Sequence, residues 1–409
     1  MTMDRLSTAY RSDHDLVVGT PTLAIAKRLK DGRYKTRLHW HQNALHDDSH
    51  PRWHQHPPQK TSEARPVKTS SFYIMSPSYV LVTGATGFIG AHVVDVLLNR
   101  GIKVRGATRS MQKGNAMIQA RPQFASQLDF VQIEDFEKSG VFEEAVKGVD
   151  AVMHVASPFT YDTTDNEKEL ILPAINGVRS ILEAASNSNV QRIVITSSFA
   201  AVIDVNRKAP PYFTYTAEDW NPLTYEESID PETKAVVAYR GSKKFAELEA
   251  WNHIKEKKPN FDIVTLCPPM TFGPVIHPVE GVSSLNESNK MLWNVASGEP
   301  LPVARVPFWV DVRVLAAAHV EALFRPEAGN KRFVVASPER FSYSLAGEII
   351  RENLPGQTGK ISQEVQTVDD SHGLDGKTAS KILGITYRPF TETVVELVSQ
   401  AMKMNAGCA

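Results

Sequence analysis

Cysteine is nearly missing from this 409-residue chain, which has only Cys267 and Cys408. Two thiols cannot build a disulfide framework, and neither stands at a metal-ligand spacing. A reducing compartment is the default, and a cytoplasmic protein is expected. Long apolar runs are missing as well. None approaches the ~18–20 residues that a membrane-spanning helix needs, which argues against a membrane protein. A strong net charge is also lacking, the formal value being −1 at pH 7. That small number hides an asymmetry: residues 1–77 carry 12 Lys/Arg against 7 Asp/Glu, and the remainder 33 against 39. A mildly acidic body lacks the clustered basic surface that binding to nucleic acid requires.

The first 77 residues differ from the rest in composition. They hold seven of the 13 histidines and six prolines, with few apolar runs beyond LAIA. The piece HWHQNALHDDSHPRWHQHPPQK is rich in a common zinc ligand. It has no regular spacing and no cysteine, so residues 1–77 read as a solvated, poorly ordered extension and no metal is expected. Asp4, Asp13 and Asp15 break the acid-poor pattern of a transit peptide, and there is no apolar core for a secretion signal. Met75 stands just before the first convincing strand, and the natural start is expected at or near it.

From Ser78 onward, short β-rich runs recur: YVLVTG, IKVRGATR, LDFVQIED, DAVMHVAS, VQRIVITSS, FDIVTLCPP and KRFVVAS. Helical patterns such as AHVVDVLLNRG, VFEEAVKGV and GVRSILEAASNS lie between several of them. Strands that are apolar through most of their length suggest burial on both faces, and their alternation with helices predicts a doubly wound α/β parallel sheet.

The first strand runs into VLVTGATGFIG, with Gly84, Gly87 and Gly90 ahead of an amphipathic helix. In such a turn one glycine permits the bend, one lets backbone approach a pyrophosphate, and one lets helix and strand pack closely. The helix start then offers free N–H groups and a positive dipole end to phosphate. An NAD-preferring site usually carries a carboxylate ~20 residues further on, for the ribose 2′-hydroxyl. Here the chain reads KVRGATRSMQK, with Arg105, Arg109 and Lys113 around that place. A 2′-phosphate calls for such cations, so NADPH/NADP+ is the expected cofactor.

VITSSFAAV ends a buried strand in hydroxyls, and ligands in an open α/β sheet bind beyond the carboxyl ends of strands. Ser197 and Ser198 therefore sit where a substrate would. Further on, AYRGSKKFAELEAW places Tyr239 one helical turn before Lys243. A phenol with a reference pKa of ~10 exchanges protons poorly at neutral pH, and a neighbouring ammonium favours the phenolate. Tyr239 is then suited to protonate a developing alkoxide, Lys243 to tune it and hold a ribose, and a strand-end serine to orient the carbonyl oxygen.

TGATGFIG, Arg109 with Lys113, HVASP, TSS and YRGSK together resemble the extended short-chain dehydrogenase/reductase superfamily. Within it the chain is most similar to the dihydroflavonol reductase-like branch and its fungal NADPH-dependent aldehyde and ketone reductases of the methylglyoxal type. The similarity runs from about Ser78 to the C-terminus. It implies a Rossmann-type domain over 78–270 and a mainly substrate-binding lobe over 271–409, with 332–337 returning to the sheet. It implies that Gly84, Thr86, Gly87, Phe88, Ile89 and Gly90 line the pyrophosphate, that Arg109 and Lys113 grip the 2′-phosphate, and that Asp135 lies near the adenine. Val155, Ala156 and Ser157 would border the ribose and nicotinamide, with Pro268 at the nicotinamide end. Ser198, rather than Ser197, would join Tyr239 and Lys243 as the catalytic set.

The implied activity is NADPH-dependent reduction of an aldehyde or ketone by a monomer or homodimer. A nucleotide-sugar epimerase or dehydratase of the same superfamily and a non-catalytic NADP-sensing regulator are the alternatives. A fourth catalytic asparagine has no clear counterpart, although Asn176 lies in the corresponding helix. His154, His319 and the DVRV segment read as structural. TFGPVIHP and VSSLNESNKMLW are expected to wall the variable substrate pocket.

Overall fold

The strand YVLVT sends Leu81 to one side of a sheet and Val80 and Val82 to the other, and all three are fully buried. That pattern repeats through seven strands of a computed structural model: β1 Tyr79–Thr83, β2 Lys103–Thr108, β3 Leu128–Gln132, β4 Ala151–His154, β5 Arg192–Thr196, β6 Asp262–Cys267 and β7 Lys331–Val334. They form one parallel sheet in the order β7-β6-β5-β4-β1-β2-β3. The structure describes residues 24–28, 34–38, 76–157, 162–207, 212–303, 306–354, 356 and 360–407.

Strand order reverses between β1 and β4. The crevice beyond their carboxyl ends is the place where open α/β sheets bind ligands. The eight longest helices among the described residues are α1 Phe88–Asn99, α2 Met111–Gln119, α3 Leu172–Ser186, α4 Ala235–Lys257, α5 Glu287–Ser297, α6 Val312–Phe324, α7 Tyr343–Asn353 and α8 Phe390–Asn405. One face of the sheet packs Val80, Val82, Val194 and Val264 against α1 and α6. The other packs Leu81, Val152, Ile193 and Ile263 against α3 and α4. The apolar reading of the strands thus reflects cover on both faces.

A third core gathers the later elements. Phe272, Leu292, Trp309, Phe341, Ile350, Phe390 and Val394 join α5, α7 and α8 to a short parallel pair, Met270–Phe272 with Trp309–Asp311. Asp311 caps α6 and pairs with Arg313, so the DVRV segment is a helix anchor.

One sequence expectation differs from the structure. VFEEAVKGV is a run of turns rather than an α-helix, bounded by Gly140 and Gly148, both at positive φ. The two glycines take left-handed backbone conformations that a continuing helix does not use. In addition, the chain divides into two units, residues 1–69 and 70–409. In the first, Ala24–Arg28 pairs antiparallel with Tyr34–Leu38, a hairpin that the reading of 1–77 as an extension did not include. The rest of residues 1–75, including the histidine-rich piece and Met75, lies outside the described residues, as does Cys408.

Candidate active site

At the end of β1, Gly84 takes φ +66°, and a Cβ there would come within 3.0 Å of the Ala156 backbone nitrogen. A Cβ on Gly90 would collide with the Gly84 carbonyl oxygen. The two glycines therefore let the turn fold onto both β4 and its own helix. Gly87 is the N-cap of α1 and contributes no side-chain cap, which leaves the first-turn N–H groups facing the crevice. The Thr86 hydroxyl lies 3.2 Å from that of Thr108, joining the turn to the end of β2.

Ser110 caps α2 by accepting from the Lys113 N–H at 3.4 Å, and so fixes the helix that carries Lys113. Arg109 and Lys113 are exposed at the crevice. Arg105, the third cation read from the sequence, points elsewhere. It pairs with Asp129 at 3.1 Å and donates to the carbonyl oxygens of Ala145 and Lys147. Arg105 lies well back along β2, ~13 Å of extended chain from Arg109, and its partners there hold it away from the strand end.

Behind the turn, the Thr83 hydroxyl accepts from the Val155 and Ala156 N–H groups, both at 3.1 Å. Its single proton is left for Nδ1 of His154, 3.1 Å away. Burial, reinforced by the Lys243 charge, pushes the His154 pKa down to about 4. His319 is likewise buried and bonded at both ring nitrogens, to Thr196 and to the Leu315 carbonyl. Each histidine thus has internal hydrogen-bond partners, and His154 also borders the cavity.

Tyr239 and Lys243 are carried by α4. The Lys243 ammonium is buried, donates to Ser157 Oγ and stands 5.2 Å from the Tyr239 ring centre. Burial pushes its pKa down to about 8. The two strand-end serines have different partners. Ser197 donates to Glu247 at 2.6 Å, whereas Ser198 accepts from the Ala200 N–H at 3.1 Å and keeps its own proton for another acceptor. The geometry favours Ser198 as a donor to a ligand.

These groups face one cavity of about 1380 Å³, lined by Gly84, Thr86 to Gly90, Arg109, Lys113, Asp135, Val155 to Ser157, Ser198, Tyr239, Lys243 and Pro268. Asn176 is outside the lining and accepts from Arg179 at 3.4 Å. Thr271, Asn286, Ser288 and Met291 contribute from the two segments expected to wall the pocket. Sequence reading did not find Val236, Arg240, Val303, Val306, Phe341 or Tyr343, which also line it. Val236 and Arg240 flank Tyr239 on α4, whereas the other four come from separate stretches with no spacing signal.

Residues 80–336 match the NAD dependent epimerase/dehydratase family. The NADPH-dependent methylglyoxal reductase of Saccharomyces cerevisiae is 34% identical over 341 residues, covering 79% of this chain and 98% of that protein. A ketoreductase of Aspergillus niger is 33% identical, covering 79% of this chain and 97% of its own length. Among solved structures, the yeast methylglyoxal/isovaleraldehyde reductase complexed with NADPH aligns with a TM-score of 0.73 at 32% identity, over 81% of this chain and 100% of that one.

Proposed function

The chain belongs to the NAD dependent epimerase/dehydratase family, and from that premise we propose that it is an NADPH-dependent reductase converting aldehydes or ketones to alcohols. The observation that carries the reading is a buried lysine one turn from a tyrosine, with a donor-ready serine opposite, in the cavity that also holds the glycine turn. The residues present fit a nicotinamide dinucleotide. Gly84 and Gly90 let the turn pack tightly on Ala156 and on itself at the cavity wall, and α1 opens with uncapped N–H groups. Arg109 and Lys113 would hold a 2′-phosphate, Asp135 would lie by the adenine, and Val155 to Ser157 and Pro268 would border the nicotinamide side.

When bound, NADPH supplies the hydride. The protein's own work is positional and electrostatic. Ser198 would donate to the carbonyl oxygen and fix its direction, and Tyr239 would pass its phenolic proton to that oxygen as negative charge develops. Lys243, kept dry and held by Ser157, would stabilise the phenolate left behind and hold a ribose. We read residues 78–270 as the cofactor domain and 271–409 as mainly the substrate lobe, in a cytoplasmic monomer or homodimer. No helix among the described residues is long and apolar enough to cross a membrane.

A panel of aldehydes and ketones, followed by NADPH oxidation with NADH in parallel, tests the reading. We expect stoichiometric NADPH consumption and a clear preference over NADH. Retained dinucleotide with no net oxidation would point instead to an epimerase, and binding without turnover to a regulator.

A further inference from the structure

Glu247 follows Tyr239 and Lys243 at four-residue steps on α4, so the three share a helix face. It is 2% exposed, and the chemistry above does not use it. Its carboxylate meets donors from three neighbouring parts of the sheet. Ser197, just past β5, donates to Oε2 at 2.6 Å, and Thr265 on β6 donates to Oε1 at 2.6 Å. Arg332 on β7 spans both oxygens, Nε to Oε1 at 2.8 Å and Nη2 to Oε2 at 3.1 Å. Both oxygens accept, each from a hydroxyl and from the guanidinium. Arg332 is itself fixed: Nη1 donates to the carbonyl oxygens of Ala217 and Asp219, and the guanidinium lies 3.7 Å from the Trp220 ring centre.

We propose that Glu247, paired with Arg332, is a positioning residue that ties the Tyr239–Lys243 face of α4 to the end of β5 through Ser197, and so sets the separation of Ser198 from Tyr239. The proposal rests on the roles given above to Ser198 and Tyr239. The backbone around Ser198 is already pinned to β6, by Ser197 N–H to the Leu266 carbonyl at 2.7 Å and Phe199 N–H to the Pro268 carbonyl at 2.9 Å. The Ser197 hydroxyl is one link from that pinned loop to the helix, at its Glu247 turn; Asn221 Nδ2 makes another near Tyr239, donating to the carbonyl oxygens of Ala200 and Arg240. The titratable groups packed around this face are Arg332 from β7, Cys267 from β6, His154 from β4, and Lys243 on α4 itself. Cys267 and His154 are neutral at pH 7, the thiol because burial pushes its pKa up. Paired, Glu247 and Arg332 add little net field at Lys243.

Two variants test this. Ser197→Ala cuts the link but leaves the ion pair. Because a small misplacement of reacting groups is costly, kcat should fall ~10-fold or more, with carbonyl KM, NADPH Kd and the pH profile nearly unchanged. Glu247→Gln should lower kcat further. It should also move the pH profile of kcat to lower pH, because the stranded guanidinium disfavours protonated Tyr239 and Lys243. Should Glu247→Gln fail to fold, Ser197→Ala carries the test alone. Wild-type kcat in Ser197→Ala overturns the proposal, as does a kcat loss matched by an equal loss of NADPH affinity, which marks general loosening. A wild-type protein that binds NADPH but reduces no carbonyl overturns the functional reading instead.

Discussion

The two ends of the cavity are built in different ways. At the dinucleotide end, one continuous stretch from Thr83 to Lys113 supplies the turn, the start of α1 and the two exposed cations. Its shape depends on backbone and on the absence of side chains at Gly84 and Gly90. The carbonyl end is assembled from side chains on α4, α5, α7 and three loops, spread between Ser198 and Tyr343. Backbone geometry is fixed by local sequence, whereas a wall of side chains from distant elements is fixed only by tertiary packing. One fold can therefore keep its cofactor while its substrate pocket changes.

The sharpest way to separate the ends is Tyr239→Phe. The substitution keeps the ring beside Lys243 and removes only the proton donor. Turnover should fall by ~10²–10⁴, the usual worth of a positioned acid, while fluorescence titration shows NADPH affinity within about twofold of wild type. Undiminished turnover would remove Tyr239 from the chemistry. A smaller effect belongs to the other end. Arg109→Ala with Lys113→Ala would remove the charged contacts we propose to a 2′-phosphate, each worth ~1.5–3 kcal/mol. The preference for NADPH over NADH should drop at least ~10-fold in kcat/KM, with NADH kinetics little changed.

The same contrast explains what could be read without coordinates. The central strands of the sheet were legible because burial on both faces leaves continuous apolar runs, as in Tyr79–Thr83 and Arg192–Thr196; the edge strands, such as half-buried Leu128–Gln132, were legible from shorter β-rich runs. The glycine turn and the Tyr239–Lys243 step were legible because each is a short-range spacing with a physical reason. VFEEAVKGV misled because its apolar period is helical while its length, between two glycines, is not. Arg105 misled because proximity in sequence is not proximity across a strand: its neighbour in register is Asp129 on β3. Val303, Phe341 and Tyr343 gave no sign at all. Each is an ordinary apolar or aromatic residue until folding brings it to the cavity.

Lys243 touches both ends, and pH can divide its effects. Its folded pKa, about 8, is depressed below the ordinary 10.5. Between these values the unfolded chain binds the proton and the folded one does not, so this group's contribution to stability rises with pH over that window. Below about 8 the group is charged in both states, and the burial penalty is fully present. Cofactor binding should move oppositely, since loss of the ammonium removes a favourable charge beside the ribose and phosphates. We expect NADPH Kd to rise above pH 8 by up to ~10-fold per unit, the limit for one proton. Lys243→Met should abolish that slope, and a wild-type Kd flat from pH 7 to 9.5 would contradict the assignment.

The smallest effect tests the carbonyl end alone. Met291 on α5 lines the cavity, and its sulfur accepts from the Tyr343 hydroxyl at 3.0 Å. Met291→Ala removes apolar wall without touching the glycine turn or α4. Loss of contact equivalent to about one methylene, ~0.8 kcal/mol, should raise the KM of a short aldehyde roughly fourfold. A branched ketone that fills the added space should be affected less. NADPH Kd should stay at its wild-type value, because the dinucleotide end owes its shape to backbone. Matched changes in carbonyl KM and NADPH Kd would mean that the two ends deform together, and the division between them would fail.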